Sequence, residues 1–253
     1  IPLNIKEDID FIFHTASVTI SKLMIENPVE TIKTSVLGTI NILDFLLKNN
    51  SKTKVIYLSS MEVYAKSPTD ELRSSYTLSK KLCENICISY ASEYGLDISI
   101  ARLAQVFGAG VSILDNHVYS QFARSIIEKK DIILHTKGEH KRDYCYLSDA
   151  ATALFLIAKK GIKGEIYDVL NKENHLTVKE MAEIMAGLSE EIFKRKTKVI
   201  IEIQEDIKSL GYLPPAKIKM NAAKIESLGF SAKINMKESC RRLIFSIKEE
   251  LLK

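Results

Sequence analysis

Tyr76 and Lys80 stand at the two ends of Tyr76-Thr77-Leu78-Ser79-Lys80, and an apolar run upstream closes on Ser59-Ser60. A free phenol, with a pKa near ~10, is a poor base at neutral pH, but an ammonium close by favours the phenolate. On a helix, residues four apart share one face and lie one turn apart, so this amine can serve this phenol. A serine hydroxyl beside them can share the proton. The trio suits removal of a proton from an alcohol while a hydride leaves the same carbon. With 10 tyrosines in 253 residues and lysine dominating the 36 basic ones, about one such spacing arises by chance. The setting carries the argument instead: a strand ending in two serines, a polar loop, then the tyrosine as a helix opens.

The elements that must hold these groups follow from periodicity. Ile9–His14 predicts a short strand running into Thr15-Ala16-Ser17. Asn27-Pro28 opens a helix to about Asn49, whose expected buried stripe is Val29, Ile32, Val36, Ile40, Leu43 and Leu47. Gly38 within it costs ~1 kcal/mol against alanine and predicts close packing there. Val55–Leu58 reads as a buried strand, Ser75–Tyr94 as a helix stopped by Gly95, and Asp97–Leu103 as a third strand. Strand, helix, strand, helix, strand at these intervals predicts parallel βαβ units in a doubly wound α/β sheet, whose ligands sit beyond the carboxyl ends of the strands. His14–Ser17, Ser59-Ser60 and Gln105–Gly110 fall at those ends.

After Gly110 the rhythm becomes mixed. Helices are expected over 116–130, from a Ser148-Asp149 cap to about Lys160, and from a Thr177/Glu180 capping box to about Leu188. Strands are expected at 132–135, 166–170 and 199–203. A loop with Pro214-Pro215 precedes helices over 221–228 and 236–252. Residues 1–110 read as a partial dinucleotide-binding domain to which 146–170 return, and 111–253 as mainly a smaller α+β substrate lobe.

Composition narrows the classes. The net charge of +4 comes from basic residues spread along the chain, which argues against a nucleic-acid or membrane patch. The 4 cysteines (Cys83, Cys87, Cys145, Cys240) lack metal-type spacing, and Cys83 and Cys87 read as packing residues on one helical face. The histidines, among them His117, His140 and His175, are scattered, and no metal site is expected. His14 is expected to orient backbone at its strand end. No apolar run approaches the ~18 residues that span a bilayer, and the cytoplasm is the default compartment.

With these residues in place, the chain resembles the nucleotide-sugar epimerase/dehydratase branch of the extended short-chain dehydrogenase/reductase family, over essentially its whole length. Phe13–Ser17 resembles the family's His-x-Ala segment. Ser35-Val36-Leu37-Gly38-Thr39 resembles Asn-Val-x-Gly-Thr, with Ser35 replacing Asn. Arg102–Gly108 resembles Arg-x-x-Asn-x-Tyr-Gly, with Gln105 and Phe107 replacing Asn and Tyr. Arg142-Asp143-Tyr144 resembles the segment whose arginine grips a nucleotide diphosphate, a role that suits a guanidinium fork.

The resemblance implies Ser60, Tyr76 and Lys80 as catalytic groups. It implies NAD held by Thr15, Ala16, Ser17, Thr19, Ser35, Leu58, Ser59, Tyr76, Lys80 and Leu103. A nucleotide-diphosphate sugar would meet Ser60, Glu62, Gln105, Asn116, Leu134, His135 and Arg142, and a homodimer would form through the helices at 28–47 and 76–94. The family's Gly-x-x-Gly-x-x-Gly turn is not among the 10 glycines, and the first strand resembles the family's fourth. The natural protein is therefore expected to be longer at its start, with an exposed edge at Ile9–Phe13 in this chain and weak dinucleotide binding by it alone. The Tyr64–Tyr76 loop is also shorter than the family's. Met61 stands where dehydratases carry an acid. The expected reaction is therefore epimerisation through a 4-keto sugar, with dehydratase, decarboxylase or reductase chemistry, or an inactive dinucleotide-binding scaffold, as alternatives.

Overall fold

The computed structural model describes residues 7–49, 51–65, 73–204 and 218–252. In chain order it runs β1 (Phe11–His14), α1 (Ser21–Glu26), α2 (Pro28–Lys48), β2 (Lys54–Ser60), a 3-10 turn (Met61–Tyr64), α3 (Ser74–Glu93) and β3 (Ile98–Leu103). There follow β4 (Gln105–Phe107), α4 (Val118–Ile127), β5 (Ile132–Leu134), β6 (Lys141–Tyr146), α5 (Leu147–Lys160) and β7 (Ile166–Val169). The rest comprises β8 (His175–Thr177), α6 (Val178–Phe193), β9 (Val199–Ile201), α7 (Ala223–Ser227) and α8 (Met236–Leu251). Most of the short Tyr64–Tyr76 loop and the Pro214-Pro215 loop lie outside the described residues. The chain forms two compact units. The first takes Ile1–Leu103, Thr152–Val169 and Leu213–Phe230; the second takes Ala104–Ala151, Leu170–Tyr212 and Ser231–Lys253.

The first unit is built on a parallel sheet of order β1-β2-β3-β7. Val55, Ile56 and Tyr57 are all buried, as a central strand covered on both faces requires, and this is why β2 reads as a continuous apolar run. Leu43, Leu46, Val55, Tyr57, Cys83, Cys87, Ile98 and Ile100 pack into one core. Phe11, on the edge strand β1, is exposed.

Helix α2 departs from expectation. Its buried positions are Thr31, Ser35, Thr39, Leu43 and Leu46, whereas Val29 is 61% and Ile32 44% exposed. Small side chains line the inner face because α2 lies close on α3. Thr39 Oγ1 is 3.5 Å from Cys83 Sγ, and that thiol lies 3.4 Å from the Ser35 carbonyl to which it donates. A Cβ at Gly38 would meet nothing within 4 Å, so that glycine reflects no close packing. Before α2, Ser21–Glu26 form a short helix and bury Met24.

The second unit holds a sheet of order β4-β6-β8, with β6 and β8 antiparallel, and a parallel β5-β9 pair. Helices α4, α6 and α8 enclose a core of Phe107, Tyr119, Phe122, Tyr144, Met181, Leu243 and their neighbours. The Thr177/Glu180 capping box is formed in both directions. Helix α5 starts at Leu147, and its Asp149 accepts the N–H groups of Lys233 and Ile234 instead of acting as a cap. Gly108 answers a close approach, because a Cβ there would lie 2.9 Å from that of Leu147.

Candidate active site

The sheet delivers Ser60 at the carboxyl end of β2, and the chain then turns at once into Met61–Tyr64. Ser60 Oγ accepts the Glu62 N–H at 3.2 Å and so fastens this turn. Helix α3 brings Tyr76 to the same end of the sheet, 9% exposed, where the Ser60 hydroxyl acts to lower its pKa. Lys80 follows one turn on, 4% exposed, and its Nζ donates to the Leu58 carbonyl at 2.7 Å. The same Nζ lies 5.0 Å from the Tyr57 ring centroid and 5.9 Å from that of Tyr76. The expected trio therefore meets in one place.

Its electrostatics differ from the expectation that Lys80 favours the phenolate. The Tyr76 pKa is raised, first by burial and then by the Glu62 carboxylate; the Ser60 hydroxyl and the Arg73 guanidinium act the other way. Lys80 spends its short contact on the Leu58 carbonyl, and burial pulls its pKa down to about 8. A second cation stands by the phenol, Arg73, which the sequence reading missed. It sits at the N-terminal end of α3 with its guanidinium carbon 5.8 Å from the Tyr76 ring centroid, and its Nη2 reaches Glu62 Oε1 at 2.5 Å. The available signal was an arginine three residues before a candidate base and an acid two residues after a candidate hydroxyl.

Of the expected cofactor residues, Thr15, Ala16 and Thr19 are exposed beyond β1, and Ser17 is half-buried with its hydroxyl 3.3 Å from that of Ser35. Ser35 itself is buried. Leu58 and Leu103 are half-buried near the ends of β2 and β3. Ser59 points elsewhere: its hydroxyl donates to Glu84, which is locked to Arg102 by two hydrogen bonds. His14 meets α2 and not its own strand end, with Nε2 at 2.9 Å from Thr39 Oγ1. Thr39 has one proton and gives it to the Ser35 carbonyl at 2.7 Å, so His14 carries its proton on Nε2. Burial and the Lys80 charge lower the His14 pKa to about 4.

Glu62 belongs to the first unit beside Tyr76, whereas Gln105, Asn116, Leu134, His135 and Arg142 belong to the second. Gln105 is half-buried on β4, and the Asn116 carbonyl accepts from Gln121. Leu134 packs into the core with its carbonyl taking the Glu202 N–H. His135 Nδ1 is buried without a partner among the described residues, and its ring lines a cavity of about 350 Å³ with Gln121, Phe122, Lys130 and Asp131. Arg142 is half-buried, and its neighbour Asp143 is taken by His175 Nδ1 at 2.8 Å. Among the described residues, no cluster of three or more His, Cys, Asp or Glu could hold a metal, and no helix is long and apolar enough to cross a membrane.

A parallel, doubly wound sheet with a Ser-Tyr-Lys cluster at its carboxyl edge defines a Rossmann-type α/β fold. Residues 4–169 match the pattern described as NAD dependent epimerase/dehydratase family, and the chain belongs to that family. A UDP-N-acetyl-alpha-D-glucosaminuronate decarboxylase of Bacillus cytotoxicus is 30% identical over 190 residues, 69% of this chain and 57% of that protein. A UDP-glucuronate 4-epimerase of Thermodesulfobacterium geofontis is 27% identical over 252 residues, 96% of this chain and 74% of that protein. The crystal structure of a UDP-glucose 4-epimerase from Thermotoga maritima superposes with a TM-score of 0.79 at 21% identity, covering 96% of this chain and 78% of that one. The chain thus spans between 57% and 74% of these two curated relatives.

The family's cofactor is NAD. The donor set in the first unit fits such a group. An ammonium has three donors, the Leu58 carbonyl takes one from Lys80, and the others suit sugar hydroxyls. The hydroxyls of Thr15, Ser17 and Thr19 lie past the end of β1, where a parallel sheet binds nucleotides.

Proposed function

We propose that the protein oxidises C4 of a nucleotide-diphosphate uronic acid and then releases its carboxylate as carbon dioxide. The observation that carries the first step is the buried Tyr76 on α3 with Ser60 at the carboxyl end of β2 acting on it and Lys80 Nζ 5.9 Å from its ring. NAD, when bound, supplies the hydride acceptor at C4. Tyr76 takes the proton of the 4-hydroxyl, with Ser60 sharing it, and Lys80 holds ribose hydroxyls through the donors that Leu58 leaves over. The resulting ketone is β to the C6 carboxylate. The electrons of the C5–C6 bond would then pass to the C4 oxygen as carbon dioxide leaves, and the enolate would take a proton from water at C5 to become a 4-keto pentose. Return of the hydride to C4, with the Tyr76 proton going to the C4 oxygen, would restore the oxidised cofactor and leave a 4-hydroxy pentose. Support for a uronic acid comes from the two relatives' names, both of which specify UDP-linked uronic acids.

Epimerisation at C4, the outcome expected from sequence, shares the first step and is the second reading. It is favoured by the 4-epimerase matching over 96% of this chain. A homodimer through α2 and α3 accords with the outward-facing Val29, Ile32, Leu37, Leu78 and Leu82 on those helices. The decisive measurement is mass-resolved product analysis of the complete protein with UDP-linked uronic acids. Loss of carbon dioxide supports the first reading, and an isomer of unchanged mass supports the second. Tyr76→Phe should lower kcat by about 10²–10⁴ with either product; unchanged turnover removes Tyr76 as the base.

A further inference from the structure

Two opposite charges reach the Tyr76 phenol, and they are tied to each other. Glu62 comes from the turn after β2 and Arg73 from the start of α3, joined through Nη2 and Oε1, with both side chains 16% exposed. The guanidinium touches the carboxylate at one point instead of through its fork, and Arg73 Nε is buried without a partner among the described residues. The Glu62 N–H bonds Ser60 Oγ, so the backbone that places Glu62 also places the hydroxyl serving Tyr76. We propose that Arg73 is a positioning residue for Tyr76: by holding Glu62 in this ion pair it keeps the carboxylate off the phenol and leaves that phenol free to take a substrate proton.

The physical argument concerns competition for one proton. A half-buried carboxylate without a cation is a strong acceptor, and the neutral phenol beside it is a donor. A Tyr76–Glu62 hydrogen bond would fix the phenol in its protonated form. The guanidinium prevents this by satisfying Glu62 and by placing positive charge near the ring. The directions of the Tyr76 shift agree, since Glu62 raises its pKa and Arg73 lowers it. The other groups around it are Lys80 on α3, committed to the Leu58 carbonyl, Tyr57 on β2, and His14 on β1, which faces Lys80.

The inference rests on Tyr76 as the base, so its test includes a readout that needs no turnover. In the complete protein, the midpoint of phenolate formation is taken from the ultraviolet difference between each variant and the same variant carrying Tyr76→Phe. Arg73→Met should raise that midpoint by about one unit, with kcat at neutral pH falling about tenfold and recovering toward alkaline pH. Arg73→Lys should restore part of the shift. The double variant Arg73→Met with Glu62→Gln should return the midpoint close to the parent's, because the competing carboxylate is gone. An unmoved midpoint in Arg73→Met, or a shift that persists in the double variant, overturns the proposal. Should Arg73→Met fail to fold, Glu62→Gln alone must lower the midpoint. If the midpoints move as stated while Tyr76→Phe keeps its turnover, the coupling stands and the proposed reaction falls.

Discussion

Helix α3 carries one guanidinium–carboxylate pair at its N-terminal end and another near its middle, and the two are built differently. Toward its middle, Glu84 meets Arg102 through two contacts, Nε to Oε1 at 2.8 Å and Nη2 to Oε2 at 2.6 Å, with side chains 7% and 19% exposed. Ser59 adds a hydrogen bond to Glu84, and Arg102 continues through the Tyr64 hydroxyl to Asp168, which also accepts the Asn221 N–H. At the N-terminal end, Arg73 holds Glu62 by one contact and leaves a nitrogen unmatched. A fully satisfied pair ties the carboxyl ends of β2, β3 and β7 to the middle of α3. A half-satisfied pair is what a site needs when the charge on a neighbour must be adjusted. Rigidity and tunability are thus separated along a single helix.

The largest effect should come from breaking the satisfied pair. Arg102→Met leaves Glu84 charged and buried, and should cost about 3–5 kcal/mol in denaturant unfolding. A loss below ~1 kcal/mol would equate the two pairs. Acid should come next, and it bypasses both arginines. The folded His14 pKa of about 4 lies below the usual value near 6.5, so the unfolded chain binds the proton first. Stability is fully present above pH ~6.5 and should fall, by at most about 3 kcal/mol, as the pH drops toward 4. His14→Gln should flatten that slope; an unchanged slope assigns it elsewhere. The smallest effect is expected from Arg73→Met, which should cost only about 1 kcal/mol of stability while shifting the Tyr76 profile.

How much of this was legible in the sequence depends on the range of the interaction. The parallel sheet showed itself because Val55-Ile56-Tyr57 and Ile98–Ala101 need apolar residues on both faces. The Thr177/Glu180 box was readable because its two partners lie within one helical turn. Helix α2 misled because periodicity finds an apolar stripe without saying what covers it. Val29 and Ile32 face outward, while Thr31, Ser35 and Thr39 form the inner face because thin side chains let α3 come near. Ser60, Tyr76 and Lys80 were read together, yet Arg73, equally near the phenol ring, was not. A four-residue spacing fixes the shared face but not which carbonyl claims the ammonium. The Glu84–Arg102 and Tyr64–Asp168 contacts join separate elements, and no local pattern announces them.

The first unit is assembled from three stretches of polypeptide separated by long excursions. Lys54 Nζ takes the Gly161 carbonyl, Tyr64 takes Asp168, and Lys160 takes the Leu228 carbonyl, so early residues wait for late ones. A ribosome will have made most of the chain before these partners exist. Nascent β1, β2 and β3 must therefore persist for seconds with an uncovered flank, at synthesis rates of roughly 5–20 residues per second. Truncation after Leu103 would not release a self-sufficient nucleotide-binding module, and folding speed here is governed by the wait for distant sequence more than by any local preference.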